Sequence, residues 1–402
     1  MCGFSFTVFL SAFQLLPTAP FHIHDLGGST FASGLFLGFL TYSSALSAPL
    51  TGALADRVGQ RRILIVSSLA LSGFMLAYAV ITDYRVMLAL VLVHGVFWSG
   101  LLSASAAYMT SLLPESRRAE GIAYWGLATL SAIAVAPTVG FWIYRSGWLW
   151  LCIGAAALNL AMAAIAWLLI EKPSAATPSA AAPVVSRSGL IERRVLVLSI
   201  TLALYSFGYG GITSFTAMYA DASGVTPKSL YLTALAIVML LTRPVLGRLG
   251  DVFGYKRVFL PCLLLISCGL ACLAVDGTRG WMIASAVIFG IGFGTAYPSY
   301  IGYTMRNVTP ERRGAAFGAI LAAFDSGIGV GSTSMGWIIQ HYGFRSAFGV
   351  AAAISALALP YFLFAERLLK TRQKPSLSPT SSRLPGIAAV GLPKNGDVIT
   401  PE

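Results

Sequence analysis

The sequence predicts an all-α membrane protein, with twelve transmembrane helices in two six-helix pseudo-symmetric bundles. Three observations carry that prediction. Of the 402 residues, 56% are hydrophobic and only 10% charged, against roughly 25% charged in soluble domains. Apolar runs long enough to span a bilayer recur along the chain, separated by polar turns. A charged, glycine-punctuated turn is also written twice. Gly52-Ala53-Leu54-Ala55-Asp56-Arg57-Val58-Gly59-Gln60-Arg61-Arg62 returns 195 residues later as Gly247-Arg248-Leu249-Gly250-Asp251-Val252-Phe253-Gly254-Tyr255-Lys256-Arg257.

The runs fall at residues 3-20, 30-55, 63-82, 86-113, 120-144, 148-170, 195-219, 228-248, 258-276, 281-305, 314-340 and 345-368. The first has no basic segment before it and no small-residue cleavage site, so it is expected to stay as a helix. It is short, because Pro17 and Pro20 arrive early. Residues 1-170 and 195-368 form the two bundles. Residues 171-194, rich in Pro, Ala and Ser, read as a flexible linker, and residues 369-402 as a disordered tail.

Of 27 Lys and Arg, 21 lie in the linkers after even-numbered runs, the first turns beside them and the tail, five lie on the other side, and Arg243 lies within a run. By the positive-inside rule both termini are cytoplasmic, in a bacterial-type inner membrane. The net charge of +12 is thus a topology signal, and no nucleic-acid partner is expected. Five cysteines are an odd number, and Cys152, Cys262, Cys268 and Cys272 lie in apolar runs. They read as small hydrophobes, and no metal site is expected.

Two further loops keep the repeat spacing. Pro114-Glu115-Ser116-Arg117 matches Pro310-Glu311-Arg312-Arg313, and Gly147-Trp148 matches Gly343-Phe344, each 196 residues on. Parallel repeats of six helices suit a transporter, because the halves can rock about a site between them. With the doubled G-x-L-x-D-x-x-G turn, the paired P-E-x-x-R loops and the 6+6 layout, the chain resembles the major facilitator superfamily over about 370 residues. The stretch from Phe324-Asp325-Ser326-Gly327 to Gln340-His341-Tyr342-Gly343 is similar to its sugar-efflux and drug-efflux branches. The fifth run carries Pro137 and Gly140 of the family's antiporter motif, with Ala132 and Ala136 where the family has glycine. The fourth run has Val91 where the family's proton-linked arginine would stand.

The resemblance implies a conformational latch at Gly52, Asp56, Arg57, Gly59, Arg61 and Arg62, with Gly247, Asp251, Gly254 and Arg257 as its copy. Asp56 would meet the start of the eleventh helix near Gly314 in the outward-facing state; the plain alternative is a solvated loop. Gly59 and Gly254 suit turns of positive φ. The resemblance also places the first, fourth, seventh and tenth helices around a central cavity. That makes Gln14, Phe97, Trp98, Tyr205, Tyr209, Tyr297 and Tyr300 candidates for substrate contact, suited to an amphipathic solute.

Asp325 lies eleven residues into its run, roughly 16 Å deep. A carboxylate there costs several kcal/mol unless it is paired, protonated or faces a cavity. Arg243 is its expected counter-ion, either in a structural salt bridge or in proton coupling, since motion that separates the two would change proton affinity. His94, beside the Val91 site, is either a neutral interface imidazole or part of a proton relay. The resulting expectation is a monomeric secondary transporter in a lipid bilayer that exports a small-molecule substrate by alternating access. It needs no cofactor beyond the proton gradient and is not an enzyme. Uptake symport, uncoupled facilitation and a membrane sensor on the same scaffold remain the alternatives.

Overall fold

The computed structural model describes residues 1–113, 118–170, 193–246, 249–306, 308 and 313–371. The predicted linker and tail and the paired Pro-Glu loops lie outside these residues, apart from a few at their edges. What is described is helical throughout. The helices are α1 (Cys2–Asp25), α2 (Thr30–Val58), α3 (Gln60–Val80), α4 (Tyr84–Leu112), α5 (Arg118–Tyr144) and α6 (Trp148–Leu168) in the first half. The second half has α7 (Arg193–Ala222), α8 (Leu230–Leu246 with Leu249–Phe253), α9 (Tyr255–Val275) and α10 (Arg279–Met305). One continuous assignment from Arg313 to Thr371 closes the chain.

Local chemistry sets the breaks. Pro20 cannot donate a backbone hydrogen bond, and α1 divides into Cys2–Leu15 and Ala19–Asp25 with Pro20 in the first turn of the second piece. The segment therefore runs past the expected end at residue 20. The final assignment bends at Gly343, whose φ of 80° and ψ of 173° fit glycine alone, giving α11 (313–342) and α12 (344–371). Gly59 and Gly254, at φ 102° and 87°, form the matching corners α2/α3 and α8/α9. Ser29 and Asp83 cap α2 and α4 by accepting backbone N–H bonds from Ala32 and Arg85. Among the described residues, ten helices are long and apolar enough to cross a membrane. Dividing the last of them at Gly343 and adding the shorter Leu230–Arg243 stretch gives twelve.

The second half packs around one core, with Tyr205, Phe259, Phe289, Tyr300 and Phe348 fully buried. The first half has two, one around Phe36, Tyr78 and Met87, the other around Leu64, Leu101 and Tyr108. Two seams join the halves. Along α2/α11, the Phe31 N–H donates to Gln340 Oε1 (3.1 Å), Ser332 Oγ to the Gly34 carbonyl (2.8 Å), Tyr42 to Thr333 (3.5 Å) and Ser44 Oγ to Asp325 Oδ2 (3.4 Å). Along α5/α8, Thr138 Oγ1 lies 3.0 Å from both Ser229 Oγ and Thr233 Oγ1, and the Lys228 ammonium sits 4.6 Å from the Phe21 ring.

The α2/α11 contacts run over roughly 20 Å of helix from the face opposite the basic linkers, and the last of them is Ser44–Asp325. Beyond it α2 shows exposed Leu46, Leu50 and Leu54 (81%, 75% and 48%). A Cβ added at Gly52 or Gly318 would meet nothing within 4 Å. On this seam the hydrogen bonds between the halves lie toward the face opposite the basic linkers.

Candidate functional site

The basic end of the doubled turn makes contacts within each half. Arg61, at the start of α3, donates from Nε to the Ala166 carbonyl (3.4 Å) and also to that of Trp167, over whose ring it lies. Its repeat counterpart Lys256, at the start of α9, pairs with Glu366 near the end of α12. Glu366 is 5% exposed and also accepts from the Tyr303 hydroxyl (2.8 Å). Each motif thus fastens the third helix of its half to the sixth. Arg61, a candidate for the inter-half latch, here bonds within the first half, and Glu366 was missed because no local motif marks it. Asp56, Arg57 and Arg257 are exposed, and Asp56 has no hydrogen bond or ion pair among the described residues. Arg62 carries further interactions of its own. The latch contact expected of Asp56 is not formed among the described residues. Gly247 and the Asp251 side chain lie outside the described residues.

The expected Asp325–Arg243 pair is not formed. Asp325, half-buried on α11, accepts its hydrogen bond from Ser44 of α2. Arg243, on α8, lies against α5: a Cβ added at Gly126 would stand 3.2 Å from its Cζ. The physical reason is topological. α8 and α11 face different helices of the other half, so each charge belongs to a different seam.

His94 lies away from both seams. Its Nδ1 is 3.1 Å from the Tyr78 hydroxyl, and its ring stacks on Phe74 at 5.3 Å and 8°. It is 5% exposed and closes the α3/α4 interface beside the fully buried Val91. This favours the structural reading over the relay. His94→Gln, which keeps a hydrogen-bonding group, should leave transport within about twofold of wild type. Its melting temperature should fall, because burying an imperfectly matched polar group costs about 1–3 kcal/mol; uptake assays beside thermal melting check both.

The aromatic candidates divide by burial. Tyr205 and Tyr300 are fully buried in the second-half core, Tyr205 edge-on to Phe293 and Phe324, and Tyr300 bonded to Ser199 (3.3 Å). Both are corrected from cavity to packing residues. Phe97 tilts onto Phe74 at 5.7 Å within the first half. Gln14 is 1% exposed with its amide nitrogen unpartnered, and its backbone lies where a Gly140 side chain would go (2.7–2.8 Å). Gly140 of the Pro137-containing helix thus permits the close α1/α5 contact.

Tyr209 and Tyr297 remain half-buried, and Phe324, missed in the sequence as one more apolar residue, joins them. Tyr209 stacks on Phe293 (4.4 Å) and Phe293 on Phe289 (5.1 Å), while Tyr297 lies 5.0 Å from Phe324. Tyr209 and Phe324 pack against cores of both halves, so this wall stands at their junction. Trp98 meets Phe9 edge-on at 6.2 Å on the first-half side.

Two six-helix repeats, joined along two seams with an aromatic wall and a carboxylate at their junction, define a polytopic membrane protein of the transporter type. The family model described as Major Facilitator Superfamily matches residues 1–240 and again 226–394, and the chain belongs to that family. It is 25% identical over 366 residues to the uncharacterized MFS-type transporter YhhS of Escherichia coli K12, covering 89% of each chain. An uncharacterized MFS-type transporter of Burkholderia mallei is likewise 25% identical over 369 residues, covering 89% of this chain and 88% of its own. Among solved structures, the D323A mutant of the nucleoside transporter NupG superposes with a TM-score of 0.76 at 15% identity, covering 90% of this chain and 98% of that one. A bacterial homolog of the human lysosomal transporter Spinster, in an inward-facing and occupied conformation, does so at 0.76 and 16% identity, covering 93% and 97%.

Proposed function

We propose that this protein is a proton-coupled secondary transporter that exports a small organic molecule across a bacterial inner membrane by alternating access, as a monomer and without enzymatic activity. The basic linkers and both termini are cytoplasmic in this reading, so the structure corresponds to the state open to the cytoplasm. The observation that carries it is Asp325. It is an acid within the membrane layer, bonded to Ser44 across the α2/α11 seam, in the hydrogen bond of that seam nearest the basic face among the described residues. Rocking that opens the seam removes that donor and admits water, so the proton affinity of Asp325 changes with the state of the carrier. The fold allows such rocking because each half packs largely around cores of its own.

Val91, buried where a proton-linked cation would stand in relatives, favours a second reading, uptake or facilitation without a proton. Proteoliposomes holding a pH-sensitive dye separate the two. Addition of a transported solute should move protons in the direction opposite to the solute. Solute movement with no proton movement would leave facilitation, and co-directional movement would leave symport.

A further inference from the structure

Asp325 stands more than ten residues from both ends of α11, and Arg243 lies in the last turn of the Leu230–Leu246 stretch of α8. They answer burial differently. A carboxylate can take up a proton and become neutral, whereas an arginine guanidinium stays charged at any accessible pH. Arg243 is exposed and has no hydrogen bond or ion pair among the described residues, and its guanidinium rests against the bare backbone of Gly126. A guanidinium enclosed between the halves when their basic-face ends close needs an anion, and Asp325 lies on the other seam. Neither Gly126 nor Ala48, the repeat counterpart of Arg243, can supply one.

The aromatic wall lies beside it. A Cβ at Gly290 would touch Val238 (3.0 Å) and one at Gly294 would touch Met239 (3.2 Å). α8 and α10 run in the same direction, so this register places Tyr297 level with Arg243, one turn further on. Tyr297 also packs at 5.0 Å on Phe324, the chain neighbour of Asp325. One wall of the second half therefore presents a guanidinium, an aromatic face and a carboxylate in sequence.

Building on the transporter reading, we infer that the solute is a planar organic anion whose carboxylate-type group pairs with Arg243 while its ring lies on Tyr209, Tyr297 and Phe324. Asp325 is then left to carry the proton. A planar anion suits Arg243 because the guanidinium fork matches a carboxylate with two parallel hydrogen bonds.

The test uses three probes of one shape, naphthoate, naphthamide and naphthylmethylamine, titrated by calorimetry into the full chain in nanodiscs. Naphthoate should bind at least about tenfold more tightly than the other two. Arg243→Gln should reduce it to the level of the amide, and Arg243→Lys should keep part of the preference. The inference is overturned if the amine binds best, if the three bind alike, if none binds, or if Arg243→Gln keeps the preference, as it would were Arg243 only reaching to the membrane surface. Should Arg243→Gln fail to fold, the wild-type order and Arg243→Lys still decide. Proton movement in liposomes is measured separately, so a lost anion preference and a lost proton coupling are distinct results.

Discussion

Asp325→Asn should abolish proton-driven accumulation while leaving solute binding nearly unchanged. Asparagine keeps the size of the side chain and can still bond Ser44 across the α2/α11 seam, so the packing near Ser44 and Phe324 should survive. It has no exchangeable acid proton, so the energetic link is lost. For one proton per cycle, a gradient of one pH unit is worth about 1.4 kcal/mol, or about a tenfold solute ratio at equilibrium. Wild-type proteoliposomes should approach that ratio and Asp325→Asn should stop at unity, while calorimetric affinity stays within about threefold. A variant that still accumulates solute against its gradient would remove Asp325 from the coupling. Equal loss of binding and accumulation would make it a structural or substrate residue instead.

The fold was legible because its signals are one-dimensional: run length, turn composition and a fixed offset between repeats need no tertiary contact. The corners at Gly59 and Gly254 fall where the doubled turn put them. Roles that depend on which helix faces which were harder to read. Arg243 and Asp325 belong to the same half, and pairing them assumed that α8 and α11 adjoin; each instead faces the opposite half. Tyr205 and Tyr300 lie on helices that border the junction, but helical rotation turns them inward, and a run apolar all round gives no phase from which to read that. Arg61 has the composition of a latch residue, and only the end of α6, more than a hundred positions away, shows it to be a staple. Phe324 and Glu366 carried no motif at all.

The same structure separates glycines that hold a half together from those that let the halves meet, and their substitution should have opposite signatures. Gly331 of α11 lies directly on the Phe207 carbonyl of α7, and Gly210 on that of Ile328, so a side chain at either would collide with backbone inside one half. Gly331→Leu should lower folding yield and melting temperature. Gly34 and Gly38 of α2 lie instead on the seam. A Cβ at Gly34 would stand 2.5 Å from the Ser332 carbonyl, and one at Gly38 would strike Thr333 Oγ1. There the collision can be relieved by parting the halves, which the transport cycle does in any case. Overpacking costs about 1–3 kcal/mol where structure must yield, so Gly38→Leu should shift the balance toward the state open at the non-basic face by about 5- to 150-fold. Transport should fall by a similar factor while the melting temperature hardly moves. A cysteine introduced at Thr333 should then react with a membrane-impermeant maleimide far faster in Gly38→Leu than in the parent. Unchanged labelling with a large loss of melting temperature would show that the seam is a rigid joint and that the halves do not part along it.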